Sequence, residues 1–303
     1  MIFMTHLDVG YTASTVREVL ELYVTDHFPA AFNTSRWLRE RRRRGEGEEQ
    51  FVYTTHAWLL DALLRNQSGV VKSRDFYRQL KGAIDRGDVT WHASPFNLQY
   101  EASNRNHMDF AYGFAHTTLD IPFRKTRKLA ASQKDTPGFT TGMVSLLQKQ
   151  GFHMIHIGVN DFSTPPAFPH SSAPYHGPCH VGLLQGQGQN YHQRNYSPSP
   201  LLVIYCSGYS ASYQAGKEIP VMITTIPGFS EALVFLVHVD NLGPQTAEQV
   251  MQGWRETQSI FPNASLMTSS LDSWTESFFR EVTNHKSDTR SSGISSLSPL
   301  SMV

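Results

Sequence analysis

Short apolar runs alternate along the first 160 residues with longer segments in which apolar side chains recur at helical spacing. The apolar runs are typical of buried strands and occur at Ile2–Thr5, Phe51–Thr54, Val89–His92 and Met154–Ile157. Helical spacing predicts helices over Ser14–Arg43, with a break near Pro29, and over Trp58–Leu64, Asp75–Arg86, Asn104–His116 and Gly142–Gln150. Repeated strand-then-helix units predict an α/β protein with a parallel sheet, either layered or closed into a barrel.

The chain changes character after residue 163. Residues 163–200 are rich in Pro, Gly, Ser, His and Gln, which predicts an irregular insertion. Further strands are predicted at Leu201–Tyr205, Pro220–Thr225 and Ala232–Val239, and a helix at Thr246–Phe261. Residues 285–303 lack apolar periodicity and predict a disordered tail. We therefore expect one domain over residues 1–284 that carries the insertion, followed by the tail.

Charge and hydropathy exclude several classes of protein. Lys plus Arg and Asp plus Glu each number 26, so no global field attracts nucleic acid or an anionic membrane. The basic run at residues 39–44 is followed directly by acidic residues within 45–49, a pattern typical of a solvated helix end and loop. No apolar run reaches the length of a membrane span and no signal sequence opens the chain, which makes the cytoplasm the default location. The sequence leaves the oligomeric state open.

The two cysteines, Cys179 and Cys206, are too few for a disulfide scaffold. A single bridge between them stays open on the sequence alone. No redox compartment follows from this count.

Three segments place imidazole and carboxylate groups at strand ends. His6 and Asp8 follow the first strand two residues apart, so both side chains can face one ligand at its carboxyl end. Asp135 precedes a Pro-Gly pair that leads into a helix. His238 and Asp240, with Asn241 beside them, end another apolar run. In parallel barrels the carboxyl ends of the strands are where sites are built.

The segments THLDVGYT (5–12), KDTPGFTTGMVSLLQKQGFHMIHIG (134–158) and VHVDNLGP (237–244) occur in this order. Together they resemble the catalytic domain of glycoside hydrolase family 38, the α-mannosidases, and more closely a microbial branch of that superfamily. In α-mannosidases the first motif is His-x-Asp-x-Gly-Trp, the central one is Asp-Pro-Phe-Gly-His-Ser, and a late His completes a zinc site. The resemblance covers residues 2 to 275.

The resemblance implies a distorted (β/α)7-type parallel barrel and a Zn²⁺ cofactor. His6 and Asp8 match the first two zinc ligands, and His238 is the candidate for the last. Asp135 matches the aspartate that both binds zinc and acts as the nucleophile of a retaining mechanism. The implied partner is a carbohydrate substrate. Two imidazoles and two carboxylates suit zinc with room left for sugar hydroxyls.

A retaining glycosidase needs a second carboxyl group as acid/base. Glu101 is the preferred candidate, because residues 91–102 resemble the family's segment that presents polar groups to sugar, and Asp161 is the alternative. Six further residues are candidates for substrate binding: Tyr11, His56, Trp91, His92, Asp240 and Asn241. Trp91 is the preferred tryptophan for stacking on a sugar ring.

Departures from the family pattern leave two other functions open. Phe139 stands where relatives have a polar His, and Tyr11 replaces the mannosidase Trp. The chain is also shorter than the typical enzymes and is expected to lack their C-terminal β domains. One alternative is an inactive carbohydrate-binding remnant. The other is a metal-dependent hydrolase of the polysaccharide deacetylase kind, in which the metal activates water.

Overall fold

The computed structural model describes residues 1–13, 15–65, 69–97, 99, 103–136, 139–140, 142–160, 179–185, 199–206, 208–209, 221–287 and 300–301. The chain divides into two compact units. The first unit comprises residues 1–91, 210–223 and 233–270. The second comprises residues 92–209, 224–232 and 271–303.

The first unit is built on a sheet in which the first strand is central. Its strands are β1 (Ile2–Thr5), β2 (Tyr53–Thr55), β3 (Val89–Trp91), β8 (Met222–Thr224) and β9 (Leu233–His238), in the order β3-β2-β1-β9-β8. The pairs β1/β2, β2/β3 and β1/β9 are parallel. All four residues of β1 are buried, as expected of a central parallel strand covered on both faces. The carboxyl ends of β1 and β9 therefore lie side by side.

The helices of the first unit are α1 (Val16–Leu22), α2 (Phe28–Arg43), α3 (Ala57–Leu64), α4 (Arg74–Arg86) and α7 (Ala247–Ile260). The break expected near Pro29 is instead a π-helical turn, Tyr23–His27, which joins α1 to α2. Proline has no N–H and its ring crowds the carbonyl four residues back, so a wider turn before it keeps the chain helical.

The second unit contains the other five strands: β4 (Ala130–Thr136), β5 (Met154–Val159), β6 (Cys179–Gln185), β7 (Leu201–Cys206) and β10 (Leu300–Ser301). Their order is β10-β6-β7-β5-β4, with β4/β5 and β5/β7 parallel and β6/β7 antiparallel. Its helices are α5 (Arg105–Ala115), which a π-helical turn over His116–Asp120 extends, α6 (Gly142–Lys149) and α8 (Leu271–Ser287). The core of this unit joins α5 and α6 to the sheet through residues such as Tyr112, Leu147 and Ile155.

The fold confirms an α/β protein with parallel sheets. Among the described residues the strands form two separate sheets, and hydrogen bonding closes neither into the barrel that was expected. Every helix in the described part of the chain falls short of the length and apolarity that a membrane crossing requires.

The structure also differs from the sequence reading at two irregular segments. Within 163–200, residues 179–185 form β6, a buried strand whose short apolar stretch is hidden in the sequence by flanking Gly and Gln. Of the expected tail, residues 285–287 continue α8 and Leu300–Ser301 pair with β6. The other residues of both segments, except Ser199 and Pro200, lie outside the described part of the chain.

Candidate functional site

His6 leaves the sheet at the carboxyl end of β1. It is 3% exposed, and its backbone N–H donates to the carbonyl of His238, 2.8 Å away, so the ladder between β1 and β9 continues one residue past β1. The backbone of His6 is thereby fixed at the strand end where the sequence predicted a site.

The chain after β9 turns sharply through backbone conformations that most residues avoid. Asp240 has φ 20°, Asn241 φ 57° and Gly243 φ 85°. A Cβ at Gly243 would lie 2.6 Å from Nδ1 of His27, so only glycine fits this close approach. Asp and Asn tolerate the left-handed region better than other side chains do. The turn brings its polar residues back towards the end of β1.

Asn241 holds the loop after β1 to the turn after β9. Its N–H donates to the carbonyl of His6 (3.0 Å), and its side-chain amide donates to the carbonyl of Asp8 and to Oγ1 of Thr12 (2.8 Å). Its Oδ1 accepts from the N–H of Asp8 (3.2 Å) and from the hydroxyl of Tyr23 (3.3 Å). Burial raises the pKa of Tyr23 well above its ordinary value, so that hydroxyl remains a donor. Asn241, predicted to bind substrate, has a positioning role in this structure.

At these strand ends, His6 and Asp240 each present a side-chain atom that can bind a metal ion, and the two atoms lie close together. Nε2 of His6 lies 3.8 Å from Oδ1 of Asp240, and Asp240 remains partly exposed. That spacing is longer than a direct hydrogen bond. An imidazole nitrogen and a carboxylate oxygen at this separation can share a cation, since ligands of zinc stand about 2 Å from the metal.

One ring nitrogen of His238 makes a hydrogen bond, and the other has the lone pair that a metal ion binds. Nδ1 lies 2.8 Å from the carbonyl of Gly243. A carbonyl only accepts, so Nδ1 carries the proton and donates, which leaves Nε2 as the lone-pair atom that a metal requires. Burial lowers the pKa of His238, with the Gly243 contact opposing it, so the ring favours its neutral, ligating form.

Asp8 follows the same strand end as His6 but has a local partner. Its Oδ2 accepts from the N–H of Thr12, 2.7 Å away, in a turn of the loop that follows β1. Its side chain is partly exposed. The sequence predicted a ligand role for Asp8 and a substrate role for Asp240; in the structure it is the Asp240 carboxylate that lies 3.8 Å from His6 Nε2.

In the second unit, Asp135 stands at the carboxyl end of β4 in a β-bulge. The β4/β5 register pairs Lys134 with Gly158 and Thr136 with Val159, which leaves Asp135 as the extra residue. Its φ is 54°, and Nδ2 of Asn160 donates to its Oδ1 at 2.6 Å. Bulges re-aim side chains beside active sites, and a non-glycine residue in this conformation costs about 1–3 kcal/mol, which the surrounding structure must offset.

A buried cation next to Asp135 was not foreseen. Lys134 is fully buried, and burial lowers its pKa to about 7. Its Nζ lies 3.1 Å from Nδ1 of His156, whose Nε2 lies 3.4 Å from Sγ of Cys206 in a disulfide with Cys179. Burial, with Lys134 and His92 adding to it, lowers the pKa of His156 well below its ordinary value. The sequence carries no signal for this burial, since no strand was predicted over residues 130–136.

Other predicted residues have varied surroundings. Tyr11 is 89% exposed, as a sugar platform would be. Trp91 is 2% exposed within β3, so its ring is a core side chain here and not the exposed stacking surface that was expected. His56 caps α3 and is buried, as is His92. Phe139 packs against the core of the second unit.

The two acid/base candidates, Glu101 and Asp161, lie outside the described residues, as does the Pro137-Gly138 pair.

Comparisons with known proteins give a likeness of fold. No protein-family model and no curated protein sequence matches the chain. Among solved structures, the chain is similar to an α-mannosidase from Enterococcus faecalis V583, with 10% identity and a TM-score of 0.54 over 95% of this chain and 29% of that one. It also matches a 4-α-glucanotransferase from Thermococcus litoralis, with 12% identity and a TM-score of 0.48 over 92% of this chain and 38% of that one. The chain thus spans well under half the length of either protein, and its fold is similar to that of the mannosidase.

Proposed function

We propose that this protein is a zinc-dependent retaining glycoside hydrolase of the α-mannosidase type, similar to glycoside hydrolase family 38. The observation that carries the proposal is the buried His6 facing the Asp240 carboxylate where β1 and β9 end together. The fold similarity to an α-mannosidase agrees with it.

The zinc ligands in this proposal are His6, Asp8, Asp135 and His238, with Asp240 as a further carboxylate for the same ion. Nitrogen and carboxylate donors suit zinc. The tautomer of His238, fixed through Gly243, is the one that a zinc ligand adopts. Asp135 enters from the sequence resemblance.

The chemistry assigns one task to each carboxyl group. A bound zinc would hold a pair of sugar hydroxyls and so orient the ring. The Asp135 carboxylate attacks the anomeric carbon while the glycosidic C–O bond breaks, and the leaving oxygen takes a proton from Glu101, or from Asp161 in its place. The same acid/base residue then removes a proton from water, which releases the sugar from Asp135. Tyr11 offers an exposed ring on which a sugar can stack.

The test is covalent labelling with a mechanism-based fluorinated α-mannoside, read by peptide mass spectrometry on the zinc-loaded full chain. We expect one label per chain, on Asp135, and loss of the label in Asp135→Asn. The matched control is Asp85→Asn, an exposed aspartate on α4 that should be labelled like the wild type. Aryl α-mannoside hydrolysis should be lost in the first variant alone.

Other outcomes would identify the two alternatives. Metal-dependent release of acetate from an acetylated polysaccharide, without any covalent label, would replace the proposal with a deacetylase-type hydrolase. Saturable binding of mannosides without label or turnover would identify a carbohydrate-binding remnant.

A further inference from the structure

A groove with an excess of positive charge runs between α2 and α4 of the first unit. It has a volume of about 590 Å³, within the range of small-molecule clefts. Five arginines line it: Arg36, Arg39, Arg43, Arg78 and Arg86. It shares no residue with the proposed glycosidase site.

The arginines near the end of α2 fall into two groups, those that contact the local helix end and those that line the groove. Arg41 lies over the ring of Trp37, 5.0 Å from its centroid, and Arg44 pairs with Glu46 at 2.6 Å, so both serve the local helix end. Arg39 and Arg43 belong to the groove, one turn apart, with Arg36 one turn earlier. Residues at this spacing share one helix face. Part of the basic run therefore lines the groove, in addition to forming the solvated end of α2.

Two of the groove arginines are held in place by one carboxylate. Asp88 accepts from Arg39 at 2.6 Å and from Arg86 at 2.9 Å, which ties α2 to the end of α4. Arg78 pairs with Asp75. Such fixed guanidinium groups lose less freedom when they bind an anion.

Two other groove arginines keep their charge available. In the part of the chain that the structure describes, no carboxylate lies within 4.0 Å of the guanidinium of Arg36 or of Arg43, and both residues are exposed. The five arginines face the carboxylates of Glu40, Asp75 and Asp88, so two positive charges remain in excess.

A glycine inside α4 lies beside one of the groove arginines. Gly82 lies on the same helix face as Arg78 and Arg86, and a Cβ there would approach Nη1 of Arg86 to 3.0 Å. A larger side chain at this position would therefore displace the guanidinium of Arg86.

We propose that this groove binds a small molecule carrying two linked phosphate groups, of the size of pyrophosphate or a nucleoside diphosphate. Guanidinium groups bind phosphate oxygens in bidentate fashion. Arg36 and Arg43 stand two helical turns apart, about 10 Å along the axis, which suits charge spread over two phosphates. Glu40 and Asp75 line the same groove, and their carboxylates repel a polyanion that extends beyond it.

The test is isothermal titration of the full chain with pyrophosphate at fixed ionic strength. We expect one pyrophosphate per chain and an affinity about tenfold or more above that of orthophosphate or sulfate, since each lost charge-assisted contact costs about 1.5–3 kcal/mol. Arg36→Gln combined with Arg43→Gln should reduce the affinity at least about tenfold. The matched control combines Arg42→Gln with Arg255→Gln, two exposed arginines of the same unit outside the groove, and should change it less than about twofold.

A second variant tests the position of Arg86 without removing a charge. Gly82→Leu favours the helix, so it should fold while its side chain displaces the Arg86 guanidinium and reduces pyrophosphate binding. Absence of saturable binding, or an equal loss in the groove and control variants, would overturn the proposal. Tighter binding of a single-stranded RNA oligonucleotide than of pyrophosphate would also overturn it, in favour of a nucleic-acid surface.

Discussion

At the scale of single residues, the strand ends are organised by amide and backbone groups as much as by the candidate ligands. Asn241 contacts the loop after β1 through both atoms of its side chain and sits at φ 57°. It thereby sets the distance between the chain segments that carry His6 and Asp240. The sequence identified all three residues as site residues, His6 as a metal ligand and Asp240 and Asn241 for substrate binding. It did not predict the contacts of Asn241 with the loop after β1, because a left-handed turn cannot be read from residue order.

We expect Asn241→Ala to lower the free energy of unfolding by about 2–4 kcal/mol, because the part-buried N–H of Asp8 and the buried hydroxyl of Tyr23 lose their acceptor. Urea unfolding of the full chain measures this. Asn33→Ala, at an exposed position of α2, is the control and should be neutral or slightly stabilising, since alanine favours helix. Equal stability of Asn241→Ala and the wild type would show that the amide does not hold the two loops.

At the scale of helices and strands, periodicity predicted most elements of the first unit and the parallel direction of their strands. It did not predict β4 or α8 of the second unit. Three further features depend on tertiary contacts: the bulge at Asp135, the strand β6 in a Gly-rich segment, and the pairing of Cys179 with Cys206, which the sequence left open. The last two are connected, since β6 and β7 pair antiparallel with the cysteines directly opposite. No local pattern marks such a partner.

The Cys179–Cys206 bridge closes a loop with a sequence separation of 27 residues. From loop length alone we expect reduction to lower the free energy of unfolding by about 3–4 kcal/mol. Urea unfolding with and without a reductant measures the change. Cys179→Ala combined with Cys206→Ala should be insensitive to the reductant, and a wild type that is equally insensitive would contradict the expectation.

The start of β4 is fastened by a buried carboxyl group on α8. Oδ1 of Asp272 accepts from the N–H groups of Leu129 (2.7 Å) and Ala130 (3.1 Å). Burial raises the pKa of Asp272, with the charge of Lys128 opposing it. A carboxyl group with a raised folded pKa binds its proton more tightly in the folded than in the unfolded state. Its contribution to stability therefore falls as pH rises from its ordinary pKa through the raised one.

Asp272→Asn keeps the Oδ1 acceptor and removes this titration. We expect the unfolding free energy of the variant minus that of the wild type to be more positive at about pH 7 than at about pH 4. Urea unfolding at the two pH values measures the difference. Asp85→Asn, at an exposed site, should show a smaller dependence, and the opposite sign for Asp272→Asn would contradict the burial argument.

At the scale of the whole molecule, each compact unit carries candidate residues at the ends of its own strands. The first unit supplies His6, Asp240 and His238 at adjacent strand ends. The second supplies Asp135 in its bulge, beside the buried Lys134. The sequence motifs that carry these residues lie at residues 5–12, 134–158 and 237–244, within what the sequence predicted as one domain. The order of these motifs along the chain predicts neither the order of the strands in the sheets nor the tautomer of His238.

The most direct measurement is zinc content and affinity of the purified full chain, by metal analysis and competition with a chelator. The wild type should bind one zinc per chain, and His6→Ala and Asp240→Asn should each weaken binding by about 100-fold or more, at least the loss seen when an outer-shell partner is removed. Asp85→Asn should bind like the wild type. A wild type that binds no zinc, or variants that bind it as tightly, would contradict the metal site at the ends of β1 and β9.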